Sequence, residues 1–188
     1  GHYMEAFYDP DRDHVLNLND ARCESWSLFN DCESRSEFVN AATALIPADH
    51  GSDGGFWEKA ARTLFVEMCD NLKKKGKGTN RHLSDELLKA SLKKIYESLK
   101  GTVADPLISP DAAKMAQSIR AVLNAHAESI RFLPDNGEPF SIKNWVERDD
   151  GKASILFITA RYADLDMSKS LLTLWMNIAI NTIMTLPH

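Results

Sequence analysis

The sequence predicts a mainly α-helical bundle, with a few short strands confined to the two ends of the chain. Three observations carry that expectation. Apolar residues recur at spacings of 3 and 4 in several long stretches, serine, proline and glycine stand where those stretches begin and end, and strand-like runs occur near Val15 and Ile155.

Residues 1–4, Gly1-His2-Tyr3-Met4, read as a tag remnant with a cloning-site methionine and are set apart from the fold. After the charged turn Asp9-Pro10-Asp11-Arg12-Asp13 comes Val15-Leu16-Asn17-Leu18, short and strand-like. A helix from Ser36 to Ile46 aligns Phe38, Ala41, Ala42 and Leu45 and stops at Pro47. The loop His50-Gly51-Ser52-Asp53-Gly54-Gly55 leads into the strongest helix, Phe56 to about Lys75. There Trp57, Ala60, Ala61, Leu64, Phe65, Met68, Cys69 and Leu72 form one apolar stripe. Lys73, Lys74 and Lys75 complement the carbonyl end of its dipole, and Gly76 stops it.

A third helix is expected from Ser84, as a cap, to Lys100, carrying Leu87, Leu88, Leu92, Ile95, Tyr96 and Leu99. Ser109-Pro110-Asp111 starts a fourth, with Met115, Ile119, Val122, His126, Ile130 and Leu133 on one side and Pro134 at its end. Ser141 caps a short helix through Trp145 and Val146. Ile155-Leu156-Phe157-Ile158 then forms a continuous apolar run, expected to be a strand buried on both faces. The segment Ser170–Pro187 has no charge. It is shorter than the roughly 20 apolar residues that span a bilayer, and Thr173, Asn177, Asn181, Thr182 and Thr185 interrupt it. A helix from about Met167 to Leu186, buried on most sides in a soluble protein, is the expectation.

Composition agrees with a globular chain. Its 188 residues are 44% hydrophobic and 26% charged, enough to bury a core without disulfide or metal. The net charge of -5 disfavours a protein that simply coats nucleic acid, although it permits a local basic patch. Cys23, Cys32 and Cys69 form no CxxC pair, which suits a reduced, cytoplasmic setting, and no signal peptide is visible.

Four segments, taken in order, resemble the TraD/TrwB family of type IV secretion coupling proteins. They are Val15–Arg22 leading to Trp26; Leu45-Ile46-Pro47 followed by Gly55–Arg62; Phe140–Val146; and Leu171–Trp175 ending in Leu186-Pro187. The resemblance implies the inserted all-alpha domain of a membrane-anchored, hexameric P-loop ATPase with a RecA-like motor. In that reading residues 5–34 are an N-terminal flank from the motor domain, 35–150 the helical domain, and 151–188 a strand and helix returning to the motor. The implied role is conjugation: contacting the relaxosome, a substrate protein or plasmid DNA at the ring entrance, on the cytoplasmic side of the bacterial inner membrane. The implied partners are a relaxase or relaxosome accessory protein and single-stranded DNA, with a homo-hexamer in the parent protein and no membrane contact by this segment. ATP and magnesium are implied for the parent and no cofactor for this chain.

The sequence contains no complete catalytic motif. Gly76-Lys77-Gly78-Thr79 is the nearest approach to a P-loop, but Asn71 replaces its first glycine and Gly78 stands where Ser or Thr must hold magnesium. His14, His50, His82 and His126 are dispersed, Asp149-Asp150 reads as a turn, and no nucleophile has a visible base. This segment is therefore expected to have no catalytic residue, metal ligand or enzyme activity. Lys73, Lys74, Lys75, Lys77 and Arg81 remain as a candidate contact for DNA or a partner. The same residues also suit a cationic helix end followed by a solvated loop, and no aromatic interleaves with them to stack bases. The function expected is thus a binding and regulatory module of a coupling protein; a structural spacer that shapes the ring entrance is the alternative.

Overall fold

In the computed structural model, residues 2–48 and 55–187 are described, so most of the glycine loop expected at His50–Gly55 lies outside the described residues. The architecture is a helical bundle with two small parallel strand pairs. It begins with α1, His2–Phe7, whose Met4 is buried. Strand β1, His14–Leu16, pairs in parallel with β4, Leu156–Ile158, in the register Val15 to Phe157. Strand β2, Ser25–Trp26, pairs in parallel with β3, Pro139–Phe140. This second pair has only two residues per strand, too few for an alternating pattern to show in the sequence.

Asp13 fixes where the first pair starts. Its carboxylate accepts from the backbone N–H groups of Asp9 and Ile155 at 3.0 and 2.8 Å and from the Arg12 guanidinium, and Ser154 donates to the Arg12 carbonyl. The expected burial of the second strand on both faces is not met. Residues of β4 are half-buried and Ile155 is exposed, because β4 is held along one edge by β1 and on one side by the last helix.

After the single turn α2, Leu28–Asp31, helix α3 spans Arg35–Leu45. It starts at Ser34 in a capping box: Ser34 Oγ accepts from the Glu37 N–H and the Glu37 carboxylate accepts from the Ser34 N–H. Helix α4, Phe56–Lys74, runs through the middle of the bundle and packs on α3 and on α8, Ala113–Ala127. Its expected stripe is buried from Ala60 to Leu72, while Trp57 at its start is only partly covered.

The third expected helix is broken rather than continuous. Thr79, not Ser84, supplies the cap, and α5, Asn80–Leu83, passes into a π-helical turn at Ser84–Lys89 that buries Ser84. At Ala90 the backbone turns extended, and Ser91 caps α6, Leu92–Leu99. The apolar spacing runs on unbroken through Leu88, Leu92 and Ile95, but Ser91 caps a new helix, its Oγ accepting from the Lys94 N–H. The single turn α7, Asp105–Ile108, follows, and a 3-10 turn at Pro110–Ala112 leads into α8. A second 3-10 turn, Glu128–Phe132, extends α8.

Helix α9, Ile142–Glu147, carries the expected Ser141 cap. The final helix α10, Leu165–Thr185, differs from expectation in its burial. It buries Leu171, Leu174, Trp175, Ile178 and Ala179 against α3, α8 and α9, while Met176, Ile180, Ile183 and Met184 are exposed. No helix among the described residues is long and apolar enough to cross a membrane. One apolar cluster joins both ends of the chain to the bundle, with Leu16, Trp26, Leu64, Ile119 and Trp175 all in it. Trp26 and Trp175 meet edge to face at 5.9 Å, adding a quadrupolar attraction to the burial.

Candidate nucleic-acid interface

The basic tract occupies the junction between α4 and α5, and its backbone is tightly specified. Gly76 takes a left-handed conformation with φ 67°, which its lack of a Cβ permits. The Gly76 N–H then donates to the Lys73 carbonyl at 3.0 Å and the Lys77 N–H to the Leu72 carbonyl at 2.8 Å. This paired arrangement satisfies two of the carbonyls that a helix end leaves open.

Gly78 is needed for a different reason. A Cβ there would lie 3.0 Å from the Phe29 ring, so the backbone rests directly on that side chain. Thr79 Oγ1 accepts from the His82 N–H, and Asn80 Nδ2 donates to the Trp26 carbonyl at 2.7 Å inside the core. The seat of Gly78 on Phe29 and the two hydrogen bonds around Gly76 therefore pin the corner that the sequence offers as a solvated loop.

This corner carries five cations outward. Lys73, Lys74, Lys75, Lys77 and Arg81 are all exposed. Lys74 pairs with Asp70 at 2.6 Å, and Arg81 reaches Asp135 at 3.7 Å. The other acid facing this end of α4, Glu67, is taken by Arg35 from α3. Among the described residues no carboxylate pairs with Lys73, Lys75 or Lys77, so their charge is presented to solvent. Phe29 lies beneath Gly78 and packs edge to face on Phe38, so it is not displayed for stacking. The corner presents exposed cations on a pinned backbone, charge of the kind that phosphate attracts, without a base-reading group in the ridge itself.

Elsewhere the polar chemistry serves the fold. Asp31 is buried and accepts four hydrogen bonds, from Trp26 Nε1 at 2.6 Å, Ser141 Oγ at 2.7 Å, and the N–H groups of Ile142 and Lys143 at 3.1 and 2.9 Å. It ties β2 to the start of α9, a role the sequence did not reveal because three of its four donors lie 110 to 112 residues away. Burial pushes the Glu37 carboxyl up, but the Lys143 ammonium and the Glu33 and Ser34 N–H groups outweigh it, leaving a pKa of about 2. Burial raises all three thiols, Cys32 to about 12, so none is a ready nucleophile.

His126 is held below its usual range by burial and has Ser170 Oγ at 3.3 Å. Among the described residues no three His, Cys, Asp or Glu side chains gather as metal ligands. Asp150 accepts from the Lys152 N–H in a turn through Gly151, which has φ 66°.

The chain is similar to known proteins. The model of the type IV secretion-system coupling protein DNA-binding domain matches residues 1–188. The chain is 35% identical over 192 residues to the coupling protein TraD of Escherichia coli (strain K12), covering 99% of this chain and 26% of that protein. The fold is similar to plasmid coupling protein TrwB in complex with a non-hydrolysable GTP analogue, with TM-score 0.80 and 29% identity over 94% of this chain and 42% of that one. It is also similar to unbound TrwBdeltaN70, with TM-score 0.81 and 28% identity over 96% of this chain and 41% of that one. TrwB with ADP and Mg2+ gives TM-score 0.81 and 29% identity, covering 94% and 42% respectively. The chain spans about a quarter of its curated relative and about two fifths of these structures. It belongs to the type IV secretion-system coupling protein DNA-binding domain family.

Proposed function

We propose that this chain is the helical DNA-contacting domain of a conjugative coupling protein, and that the corner carrying Lys73, Lys74, Lys75, Lys77 and Arg81 grips the phosphates of single-stranded DNA. The observation that carries this reading is the unpaired charge of Lys73, Lys75 and Lys77 on a pinned backbone. The pinned backbone spares the corner an ordering cost when its lysines meet phosphate, and the released counterions drive the binding.

The same reading takes the rest of the parent machine from the resemblance to the family. The whole protein is a membrane-anchored, hexameric P-loop ATPase that uses ATP and magnesium on the cytoplasmic side of the inner membrane, and six such corners line the ring entrance. A relaxase or a relaxosome accessory protein delivers the strand there. The β1–β4 pair and α10, within residues 5–34 and 151–188, belong to the motor domain, while 35–150 form the inserted helical domain. The half-buried β4 and the open apolar face of α10 support that division.

The spacer reading rests on one observation, that Phe29 lies beneath the corner and leaves it no stacking surface. Fluorescence anisotropy with labelled single-stranded DNA decides between the two. Contact with about four phosphates predicts a roughly fifty-fold loss of affinity between 50 and 200 mM salt. Joint reversal of Lys73, Lys75 and Lys77 to Glu is expected to abolish binding and leave the circular dichroism spectrum intact. Salt-insensitive or absent binding by the parent sequence would leave the spacer.

A further inference from the structure

The 3-10 turn Glu128–Phe132 that extends α8 is anchored from within. Ile130 inside it and Leu133 just after it are both buried, and the Leu133 N–H donates to the Ile130 carbonyl at 3.2 Å. Phe132 between them is left outside, 49% exposed. A single exposed phenyl is ordinary on a protein surface; what surrounds this one gives it a use. The Arg131 guanidinium carbon lies over the Phe132 ring, 5.2 Å from its centroid, and Arg131 Nη1 donates to Glu128 Oε1 at 3.0 Å. Ring and cation thus form one pair, carried on a turn whose backbone the core holds.

The pair adjoins the basic ridge. Arg131 lines a cavity of about 230 Å³ together with Lys89 and with Arg81, the last cation of the ridge. Arg81 also reaches Asp135, three residues beyond Phe132, at 3.7 Å. That link joins two exposed side chains at a loose distance, so a phosphate can take the place of the carboxylate. The aromatic surface therefore begins where the ridge ends.

Charge and ring together select the ligand. A bare phosphate gains nothing from a phenyl ring beside the cations. An apolar side chain of a protein partner could cover the ring only by taking the Arg131 guanidinium out of water with it. A nucleobase offers a π-face to the phenyl ring or the guanidinium plane, and the phosphate joined to it remains beside Arg81. Every base has such a face, so the contact is indifferent to sequence.

We infer that Phe132 and Arg131 form a stacking platform for one base of the single strand whose phosphates lie along Lys73–Arg81; the inference rests on the DNA-binding reading of that ridge. The platform supplies, one element away, the aromatic surface that the corner lacks. Its ring comes from a distant part of the chain, which is why no aromatic interleaves with the lysines.

The test measures anisotropy of this chain with a short mixed-sequence single strand and with an equally long strand made entirely of abasic tetrahydrofuran phosphates. The base-bearing strand is expected to bind about ten-fold more tightly, the factor of one stacked base. Phe132→Ala is expected to remove most of that preference, leave affinity for the abasic strand unchanged, and leave Tm nearly unchanged, because the ring is half in water. Phe132→Tyr keeps a π-face and is expected to keep the preference. Equal affinity of the parent sequence for the two strands, or a preference that survives Phe132→Ala or is lost in Phe132→Tyr, overturns the platform while the phosphate ridge stands. An equal loss for both strands in Phe132→Ala assigns the ring to the fold and overturns the platform as well. Binding of neither strand by the parent sequence at low salt overturns the ridge and the platform together.

Discussion

Helices α4 and α10 are of similar length, 19 and 21 residues, yet they relate to the core in opposite ways. Helix α4 is charged at intervals and mixed in composition, and it is enclosed by α3, α6 and α8 so fully that even Glu67 is buried. Helix α10 has no charge from Ser170 onward and is the more apolar, but only one side of it is covered. Apolar content alone therefore does not place a helix at the centre. What places it is whether its apolar residues fall in one stripe that neighbours within the chain can enclose. The outer face of α10, with Met176, Ile180, Ile183 and Met184, is the face on which the rest of the proposed motor domain would pack.

The comparison breaks most sharply if the support of α10 is removed. Asp31 anchors α9, and α9 packs on α10. Asp31→Ala leaves the Trp26 indole N–H, the Ser141 hydroxyl and two backbone N–H groups unpaired in the interior. A loss of about 4 kcal/mol is expected in urea unfolding. A loss below 1 kcal/mol would mean that α10 holds its place without α9. Next in size is a paired measurement on the two helices. Leu64→Ala, at a fully buried site on α4, is expected to cost about 3 kcal/mol, and Ile180→Ala on the outer face of α10 less than about 0.5 kcal/mol. Equal costs would show that α10 is as enclosed as α4.

The sequence reveals these two helices unequally, and the reason is physical. The stripe of α4 repeats every 3 to 4 residues, and its end is marked by lysines and Gly76, so its span is legible within a residue. A uniformly apolar segment such as Ser170–Pro187 has no periodicity to say which side faces inward, and α10 was expected to be buried on most sides for that reason. The break at Ala90 was hidden because Leu87, Leu88, Leu92 and Ile95 fit one helix as well as two. In the candidate site, the ridge cations are visible as a charge cluster. The contacts that pin the corner are not, since Phe29 beneath Gly78 and the Asn80 link to the Trp26 carbonyl appear only in the fold. Asp31 is equally silent, because all of its distant partners come together only in the fold.

Acid offers a smaller and graded test. Glu37 on α3 is paired with Lys143 on α9, which joins the two elements that flank the inner side of α10. Its carboxyl is held at about 2, below its ordinary value of 4.5, so the folded state favours the ionised form. That contribution is complete above pH 4.5 and is lost as pH falls from there toward 2. Hydrogen exchange in α9 and α10 is expected to accelerate across this window before exchange in α4 does. Glu37→Gln is expected to remove that part of the acid dependence at the cost of a lower Tm at neutral pH. Simultaneous acceleration in α4 and α10 would tie both helices to one acid-sensitive unit.

The smallest stability effect concerns the outer face of α10 itself, through Ile180→Lys combined with Met184→Lys. Both side chains are substantially exposed, Ile180 at 48% and Met184 at 74%, and they stand one helical turn apart beside Asn177 and Asn181. Lysine is a good helix former and can lay its methylenes along the helix while its ammonium stays in water. Unfolding free energy should therefore move by less than about 0.5 kcal/mol. Association should respond differently, because an uncovered apolar stripe on an isolated domain is an adhesive surface. Sedimentation velocity over a range of concentrations is expected to show the parent sequence self-associating and the double variant monomeric. A large drop in stability would show that this face is already part of the core. Unchanged self-association would place the adhesive surface elsewhere and remove the main structural reason for assigning α10 to a motor-domain interface.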